Sequence, residues 1–562
     1  MAATDSVSTL PPGPWSPLRQ PVFRGLWLAI LVGNIGTWMH DVAAAWVMAE
    51  RTASPLWVSA VQAATTLPVV LLVLVAGTLA DIVDRRRYLL LAQCWMFAVA
   101  TVLALLAGSG QLTPPALLAL TFALGCGTAM AMPAQAAIVP ELVPRPMLSP
   151  AVALNSLGMN IARSLGPALG GVVVAHFGAG WAFAANAVTF LGVALVLLRW
   201  KRQAAVAALP PEHFFGGLRA GVRYAAHAPA FRAVLGKAAC FFVFAGALPA
   251  LLPIVVRSEV GGGAGTFGLL LGCIGIGAIA GALLLPKLRA RLDADALVLG
   301  GALLCAATLL ALAWIREVAA LVPVMLVNGL AWICVLSSLQ VGAQTSVPAW
   351  VRARALSLYI LVFASGMAGG GLLWGAVAQH GGTATALSLA ASCLVAATLL
   401  ATRFRIGAGE RLDLMPSAHW PQPVVAGTPA VDRGPVLVTV EYRIDEADRD
   451  AFQECVQLLG RSRRRDGALQ WGVMEDAAQP GVHLEYFVVA SWLEHLHQHA
   501  RVTGEERALQ DRLRRLHRGE DLPRVRHFIG GSAAAAESSV GGGAAAAESL
   551  HAGGAASMES KA

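Results

Sequence analysis

The chain has 562 residues, of which 57% are hydrophobic and 13% are charged, and its mean hydropathy is +0.64. Soluble domains carry about 25% charged residues, so this composition excludes an ordinary soluble protein and indicates a polytopic membrane protein with some soluble mass attached. The formal net charge of +8 does not indicate a nucleic-acid partner, because the arginines concentrate in short loops between apolar runs, as in the inner loops of membrane proteins.

The N-terminal segment 1–20 is polar and proline-rich, and we expect it to be disordered. It lacks the charged start, short apolar core and cleavage site of a signal peptide, so the first span is expected to serve as the insertion signal. From Phe23 onward the apolar runs are about 20 residues long, which is enough to cross a hydrocarbon core of ~30 Å. We place twelve spans near residues 23–48, 57–80, 88–108, 115–138, 148–176, 181–199, 236–256, 264–286, 296–315, 318–342, 354–379 and 383–401.

A short, strongly basic segment follows the second span. Residues 77–87 read GTLADIVDRRR, and we expect Asp81 to pair with Arg85, because an unpaired carboxylate at the end of a span is costly. A weaker copy, GALLLPKLRAR, occupies residues 281–291, at an offset of 281 − 77 = 204. The same offset relates Pro144 to Pro348, Gly171 to Gly375 and His176 to His380. Such a long-period repeat of hydrophobic segments predicts two homologous halves.

The basic residues of the loops predict the orientation of the chain. Most loop lysines and arginines, including Arg85, Arg199 and Arg403, lie on one side, whereas the other side holds only Arg51, Arg257 and Arg316. An excess of Lys and Arg marks the cytoplasmic face. We therefore expect a multi-pass protein of the cell (inner) membrane with both termini in the cytoplasm.

The change in composition along the chain predicts its domains. We expect six-helix bundles at 21–202 and 236–405, a cytoplasmic central loop at 203–235, a linker at 406–433, a soluble domain at 434–530 and a disordered low-complexity tail at 531–562. The second half of the central loop is compatible with an amphipathic helix on the inner membrane surface and equally with a plain linker.

The soluble domain has its own pattern of strands and helices. We predict strands at 436–444, 468–476, 483–491 and 525–529, and helices at 446–464 and about 492–516. This βαββαβ order is ferredoxin-like. The predicted fold class is therefore an all-α polytopic membrane protein with twelve transmembrane helices in two pseudo-repeats, followed by a soluble α+β ferredoxin-like domain.

Ionisable residues inside membrane spans are functional candidates by default. Asp41 in the first span is a candidate proton carrier, unless it reaches the outer interface and is merely solvated. Arg163 in the fifth span is a candidate for binding an anionic substrate or for pairing with Asp41. Polar residues that either line a central cavity or hydrogen-bond between helices are Asn34, Asn160, Asn186, Asn328, Gln340 and Gln344.

The sequence predicts no metal site and no cofactor. His495 and His499 lie four residues apart, a spacing compatible with metal binding, but no carboxylate or cysteine pattern accompanies them, so we expect a solvated helix face. The eight cysteines are scattered, mostly in apolar runs, without a Cys-x-x-Cys pair, and we expect small core residues. No nucleotide-binding loop is present, which disfavours ATP-driven transport.

The segment 77–87 resembles the signature loop of the major facilitator superfamily, roughly G-x-L-a-D-r-x-G-r-r. Asp84 replaces the second glycine of that signature and Ile82 its first arginine. The positions that match are Gly77, Leu79, Ala80, Asp81, Arg85 and Arg86. Residues 21–405 as a whole resemble this superfamily.

The fifth span resembles the exporter branch of the same superfamily through its element G-P-x-x-G-G, formed by Gly166, Pro167, Gly170 and Gly171. The fourth span lacks the arginine found in many antiporters of the superfamily, so their detailed proton relay is not expected here. The branch is similar to the enterobactin-exporter-like group, also called transmembrane secretion effectors. The soluble domain resembles the small α+β barrel of the antibiotic-biosynthesis monooxygenase group, which is commonly dimeric.

The resemblance implies two six-helix bundles that alternate access to a central site. It also implies proton-driven export of a siderophore, an antibiotic or a similar lipophilic metabolite, and so a transporter linked to drug resistance, not an enzyme. The implied partners are a small-molecule substrate, protons, the lipid bilayer and a second copy through the soluble domain. The alternatives are an importer of a small metabolite, or a transporter fused to a cofactor-free monooxygenase; a regulatory or dimerising role of the soluble domain also stays open.

Overall fold

The computed structural model describes residues 13–200, 222–348, 350–406, 413–414, 417, 420 and 433–530. Within this part, twelve helices are long and apolar enough to cross a membrane, which confirms the predicted number of spans. These helices are α1 (Pro21–Arg51), α2 (Pro55–Ile82), α3 (Arg85–Gly108), α4 (Pro114–Leu142), α5 (Leu148–Phe177), α6 (Ala179–Arg199), α7 (Pro229–Glu259), α8 (Ala264–Arg289), α9 (Ala294–Trp314), α10 (Val318–Thr345), α11 (Arg352–Gly381) and α12 (Thr383–Leu400).

Local sequence signals explain where the helices begin. Pro21, Pro55 and Pro114 each occupy the first helical turn, where the missing N–H group of proline costs nothing. The Asp84 carboxylate caps α3 by accepting a hydrogen bond from the backbone N–H of Arg87 at 2.9 Å, as short acidic side chains do at helix N-termini.

The two halves repeat each other in detail. Gly178 links α5 to α6 with a φ of 86°, and Gly382 links α11 to α12 with a φ of 83°. Only glycine adopts this left-handed conformation without strain, and 382 − 178 is again 204. In the preceding turns, His176 and His380 each place Nδ1 within hydrogen-bond distance of the carbonyl oxygen four residues earlier, at 3.0 and 2.9 Å.

The seventh apolar helix begins at Pro229, seven residues before the start predicted for this span. The charged residues Arg232 and Lys237 in its first turns lower the local hydropathy, so a hydropathy-based prediction starts the helix too late. The buried Lys237 ammonium forms an ion pair with Asp295 at the start of α9. This pair offsets the cost of a buried charge in a membrane span. The span consists of a helix to Ala245, a second from Ala247 and a π-helical turn at Val255–Glu259.

The chain divides into two compact units. The first comprises Met1–Phe214, Ala233–Ala343 and Leu356–Gly407, and thus holds the bulk of the twelve apolar helices. The second comprises Phe215–Arg232, Gln344–Ala355 and Ala408–Ala562. The second unit is therefore assembled from three separate stretches of sequence, and its first described part, residues 222–227, is helical.

The second unit contains a four-stranded antiparallel sheet with the order β2–β3–β1–β4. Val436 of the central strand β1 is paired with Val489 on one side and Ile529 on the other. The strands are β1 (Val436–Arg443), β2 (Gln470–Glu475), β3 (Val482–Val489) and β4 (Arg524–Ile529), and the helices are α13 (Arg449–Arg465), α14 (Trp492–Arg501) and α15 (Gly504–Leu516).

The continuous helix predicted at about 492–516 is wrong, because the chain is extended at Val502 and Thr503. The β-branched pair followed by Gly504 has low helix propensity. The extended segment between the two helices also makes a specific contact, because the carbonyl oxygen of Val502 accepts a hydrogen bond from the backbone N–H of Ser417 at 2.9 Å. As a result α14 and α15 are free to adopt different directions.

Candidate functional site

A cavity of about 260 Å³ lies within the first half, between α1, α3, α4, α5 and α6. Its wall is mainly apolar, and no charged side chain is among its described lining residues. The polar side chains of the wall are four amides, Asn34, Gln93, Gln135 and Asn155. A site of this kind suits a largely apolar molecule that offers a few hydrogen-bonding groups.

Of the predicted cavity residues, the structure places Asn34 in this wall. The sequence prediction missed Gln93, which is only 2% exposed and whose Oε1 atom has no hydrogen-bond partner among the described residues. Buried polar atoms are nearly always paired in native proteins, so this oxygen is a candidate contact for a ligand or water. A signal for it exists in the sequence, since Gln93 interrupts the apolar run LLLAQCWMF.

The other predicted amides lie elsewhere. Asn160 on α5 and both Gln340 and Gln344 on α10 are exposed, and none of them lines the cavity. The side chain of Asn328 donates a hydrogen bond to the Thr308 hydroxyl at 2.7 Å and thereby joins α10 to α9. Asn328 is thus one of the polar groups that hold helices together, which was the alternative role expected for this set.

The first span carries two adjacent ionisable residues. Asp41 is partly buried, and no described residue donates a hydrogen bond to its carboxylate. His40, which the sequence analysis did not single out, is 1% exposed, and neither of its ring nitrogens has a described partner. Its ring lies against Phe183, with the centroids 5.1 Å apart. Because ionisable side chains in spans are costly, both residues are candidates for a role in coupling.

Arg163 does not form an ion pair with Asp41 in the described part of the structure. Its guanidinium lies 5.8 Å from the ring centroid of Trp38 on α1, a cation–π distance. Its buried Nε atom has no hydrogen-bond partner there. The Arg163 charge therefore remains available to an external anion. Binding an anion was one of the two roles expected for this residue, and pairing with Asp41 was the other.

The basic loop after α2 fastens three helices together. Arg85 donates to the Glu141 carboxylate near the end of α4 at 2.9 Å. Arg86 donates to the backbone oxygens of Leu197 and Leu198 at the end of α6, at 2.7 and 2.8 Å. The expected partner of Arg85, the side chain of Asp81, lies outside the described residues, as do the side-chain surroundings of Gly77. The loop is placed to hold α3, α4 and α6 in one arrangement.

The glycines of the fifth span contact two neighbouring helices. Gly166 and Gly170 face Trp38 and Met39 of α1, and a Cβ atom on Gly170 would lie 2.9 Å from the Cα of Met39. Gly171 faces the other half: its added Cβ would lie 2.6 Å from the Cα of Gly268 on α8. Pro167 lies inside the same helix. Small residues permit such close backbone approach between helices, so Gly166 and Gly170 set the contact of α5 with α1, and Gly171 sets its contact with the other half.

A second contact between the halves joins α2 to α11. The Ser54 hydroxyl donates to the Gln379 side-chain oxygen at 2.6 Å, and Gly375 lies against Ser59. Because successive spans alternate in direction, the start of α2, the end of α11, the end of α5 and the start of α8 share one side. That side is opposite to the basic loop of Arg85.

The second unit has a cavity of its own, of about 450 Å³. Three imidazoles, those of His495 and His499 on α14 and His527 on β4, lie in its wall. The prediction of a solvated helix face for the first two is wrong, because His495 is 1% exposed and its ring lies 4.8 Å from that of His527. The sheet covers this face of α14, which helical spacing alone does not reveal.

The electrostatics of this second cavity favour neutral imidazoles. Burial, reinforced by the neighbouring histidines, lowers the pKa of His495 to about 3, and burial with His527 lowers the pKa of His499 to about 4. The nearby Arg463 guanidinium is paired with Glu485 at 3.1 Å and lies 4.7 Å from the ring centroid of Phe487. The positive charge of Arg463 also contributes to lowering the pKa of His495 and of His499.

The two short segments that belong to the second unit are held by specific contacts. Arg223 and Arg501 both donate to Glu494, at 3.2 and 2.9 Å. The Arg501 guanidinium also lies 4.3 Å from the ring centroid of Trp350, and the Tyr224 hydroxyl donates to the carbonyl oxygen of Ser346 at 3.2 Å. The part of the central loop around residue 223 thus packs within this unit, whereas residues 203–221 lie outside the described part.

A family model described as transmembrane secretion effector matches residues 12–535 of the chain. The chain is 27% identical over 257 residues to the staphyloferrin A transporter of Staphylococcus aureus (strain NCTC 8325 / PS 47). It is 29% identical over 194 residues to YfiS of Bacillus subtilis (strain 168), an uncharacterized MFS-type transporter. The matches cover 45% and 33% of this chain and 64% and 45% of the relatives, which is less than two thirds of either relative.

Solved structures of transporters share the fold. A bacterial homolog of the human lysosomal transporter Spinster, in an inward-facing and unoccupied conformation, aligns with a TM-score of 0.53 at 16% identity, over 70% of this chain and 97% of that one. A POT family transporter in complex with 5-aminolevulinic acid aligns with a TM-score of 0.55 at 12% identity, over 68% and 95%. At these identities the likeness shows the MFS transporter fold alone.

Proposed function

The chain belongs to the transmembrane secretion effector family, a family of secondary MFS-type transporters, and on that premise we propose that it exports a small lipophilic metabolite in exchange for protons. Siderophores and antibiotics are the compound classes that fit. The transport cycle is alternating access, in which the two six-helix halves rock relative to each other.

The observation that carries this proposal is the uncharged cavity in the first half. Its amides, Asn34 and Gln93 among them, offer hydrogen bonds without a fixed charge, which suits a compound with a large apolar surface and few polar groups. The name of the Staphylococcus aureus relative, staphyloferrin A transporter, supports a siderophore among the candidates. Arg163 lies on α5 outside the described lining of this cavity, and its buried, unpaired Nε atom supports a separate contact for substrates that carry a carboxylate.

The contacts between the halves support alternating access. Gly171 against Gly268 and Ser54 against Gln379 lie on the side opposite to the basic loops. If the basic loops are cytoplasmic, these contacts close the outer side, and the arrangement corresponds to an inward-facing state. Loading of a cytoplasmic compound from this state, followed by separation of the glycine contact, gives export.

The direction and the compound are tested together. Cells with and without the gene are grown in parallel, and the metabolites of the medium and of the cells are compared by mass spectrometry. Export predicts a compound enriched in the medium and depleted in the cells when the chain is present, and the opposite distribution would show an importer. The identified compound is then followed in proteoliposomes with and without an imposed pH gradient; transport that ignores the gradient contradicts proton coupling.

A ferredoxin-like assignment of the second unit is supported by its sheet order β2–β3–β1–β4. The cavity of about 450 Å³ next to this sheet favours a ligand-binding role, and a cofactor-free monooxygenase acting on the transported compound is the second candidate function. Oxygen consumption by the purified chain with quinols, or with the identified metabolite, tests it. If the purified chain consumes no oxygen with these compounds, a regulatory or dimerising role remains for the second unit.

A further inference from the structure

Three imidazoles converge in the cavity of the second unit, and their positions follow from regular secondary structure. His495 and His499 are four residues apart on α14, so they lie on the same helix face. His527 lies on β4, opposite Val438 of β1. One ring nitrogen from each of the three residues lies within 4.8 Å of the others, although 28 residues separate His499 from His527 along the chain.

The spacing of the nitrogens fits a shared ligand. The Nε2 atoms of His495 and His499 are 3.2 Å apart. Two nitrogens bound tetrahedrally to one zinc ion at ~2.0–2.1 Å each are about 3.3–3.4 Å apart. The third nitrogen, on His527, lies within 4.8 Å of the other two.

The hydrogen bonding of these rings is incomplete within the described structure. The Nδ1 atom of the almost fully buried His495 has no partner. Its Nε2 faces another imidazole nitrogen, so at most one of the two facing atoms is a donor. At least one of these two facing Nε2 atoms therefore presents a lone pair to the other, and an ion shared by both is one way to satisfy such a contact; the unpaired Nδ1 atom is not part of it. Neutral imidazoles with free lone pairs are the form in which histidine binds metals.

The surroundings leave room for a further ligand. The histidines border the cavity of about 450 Å³, whose wall also includes the apolar residues Val440 and Phe487 and the basic residues Arg514 and Arg526. Three protein nitrogens and an open fourth position are the arrangement of catalytic or substrate-binding zinc sites, whereas structural sites are closed.

We propose that His495, His499 and His527 form a binding site for a divalent transition metal of the Zn²⁺ class, with an open coordination position facing this cavity. Imidazole ligands select zinc, cobalt, nickel, copper or iron over magnesium and calcium, which prefer oxygen. The two arginines make an anionic or oxygen-bearing compound the fitting fourth ligand. The site lies within the second unit and goes beyond the function proposed above.

The test uses the full-length chain, purified in detergent with a tag that contains no histidine and stripped with a chelator. Co²⁺ is the probe, because its visible d–d absorption reports the number and type of its ligands, and Zn²⁺ competition reports the selectivity. We expect one equivalent of Co²⁺ to bind with a spectrum of nitrogen ligation, to be displaced by Zn²⁺ and to be unaffected by Mg²⁺.

His499→Gln and His527→Gln should each weaken Co²⁺ binding by more than about tenfold, because even second-shell partners of a metal contribute about 10–100-fold. The matched control is His497→Gln, which lies on the same helix near Glu494, outside the cluster, and should bind as the unchanged chain does. His495→Gln is a further variant, but the replacement of this buried residue puts folding at risk. The proposal is therefore judged on His499→Gln and His527→Gln, whose positions are less buried.

Two results would overturn the proposal. One is a folded chain that binds neither Co²⁺ nor Zn²⁺ above the level of the triple variant of all three histidines. The other is a spectrum and an affinity that are the same in His499→Gln, His527→Gln and His497→Gln, which would place the bound metal elsewhere on the chain.

Discussion

The Cα atom of Gly268 on α8 lies so close to Gly171 on α5 that a Cβ atom on Gly171 would come within 2.6 Å of it. This distance is far below any ordinary contact, and the atom that would have to move is backbone. The contact joins the two halves of the transporter on the side opposite to the basic loops. The arrangement therefore exists only because both positions lack a side chain.

We expect Gly268→Ala and Gly171→Ala to disfavour this closed contact. Overpacking costs about 1–3 kcal/mol, which shifts a two-state equilibrium by about 5- to 150-fold. The readout is cross-linking between Ser54→Cys and Gln379→Cys, whose native side chains are 2.6 Å apart, and its yield should fall in both glycine variants. The control Gly192→Ala has open space around its Cβ and should leave the yield unchanged; an equal loss there would contradict the explanation.

The Arg85–Glu141 pair should help to set the rate of the cycle. Glu141→Gln removes the charge that accepts the 2.9 Å hydrogen bond, and a charge-assisted hydrogen bond contributes about 1.5–3 kcal/mol. We expect transport to slow at least severalfold, at normal membrane insertion, and Asp81→Asn to act in the same direction. The control is Arg87→Gln, an exposed position of the same loop. Full activity of Glu141→Gln would show that the pair does not limit the cycle.

Asp41 and Arg163 should give different phenotypes, because the described structure does not pair them. Asp41→Asn should abolish efflux driven by a pH gradient and leave equilibrium binding intact, since an amide cannot take up and release a proton. Arg163→Gln should weaken binding of an anionic substrate and leave coupling intact, because a charge in a low-dielectric site attracts an anion directly. Flux and binding in proteoliposomes across a pH series separate the two effects.

Glu50→Gln is the matched control for Asp41→Asn, since Glu50 is an exposed acid at the end of the same helix. Should Asp41→Asn retain full gradient-driven efflux, the proton carrier is another group. The buried His40 is then the next residue to replace.

The amides of the cavity should contribute to affinity. Gln93→Leu and Asn34→Leu each remove a potential hydrogen bond worth about 0.5–1.5 kcal/mol, and at ~1.4 kcal/mol per factor of ten the Kd should rise by about 2- to 12-fold. Asn160→Leu, an exposed position on α5 outside the cavity, serves as the control. Isothermal titration with the identified compound measures all three. An effect of Asn160→Leu alone would move the site away from this cavity.

The stability of the second unit should depend on Glu485. This carboxylate is completely buried and accepts hydrogen bonds from Arg463, Trp471 and Tyr442, each at 3.1 Å. Glu485→Gln leaves the Arg463 charge uncompensated in the core, and breaking a buried pair in this way costs about 3–5 kcal/mol. Hydrogen exchange of the β1 and β3 amides should rise accordingly, while Glu454→Gln, at an exposed position of α13, should have little effect.

The apolar helices were predictable because about 20 consecutive apolar residues have few other structures available to them. The prediction failed where a polar side chain is compensated by a distant residue, as Lys237 is by Asp295, since hydropathy along the chain contains no information about such partners. The strands of the soluble domain were found from alternation, but the helix break at Val502 and Thr503 depends on contacts with a remote segment.

The candidate sites were predictable only in part, for the same physical reason. An amide in an apolar run indicates a polar environment but not which one, so Asn34 in the cavity and Asn328 between two helices look alike in sequence. His495 and His499 carried the spacing of a metal site, but the third imidazole, His527, comes from the last strand and joins them only through the fold. The repeat of 204 residues, in contrast, extends to the glycine turns at 178 and 382, which the structure shows to be equivalent because both halves follow the same backbone path.

The contact between Arg223 and Glu494 has a consequence for synthesis. These residues are 271 positions apart, so at ~5–20 residues per second the ribosome makes the glutamate roughly 14–54 s after the arginine. Six further apolar helices, α7 to α12, are made in that interval. Arg223 therefore stays without its Glu494 partner while α7 to α12 are synthesised, and this contact forms only after the last apolar helix has been made.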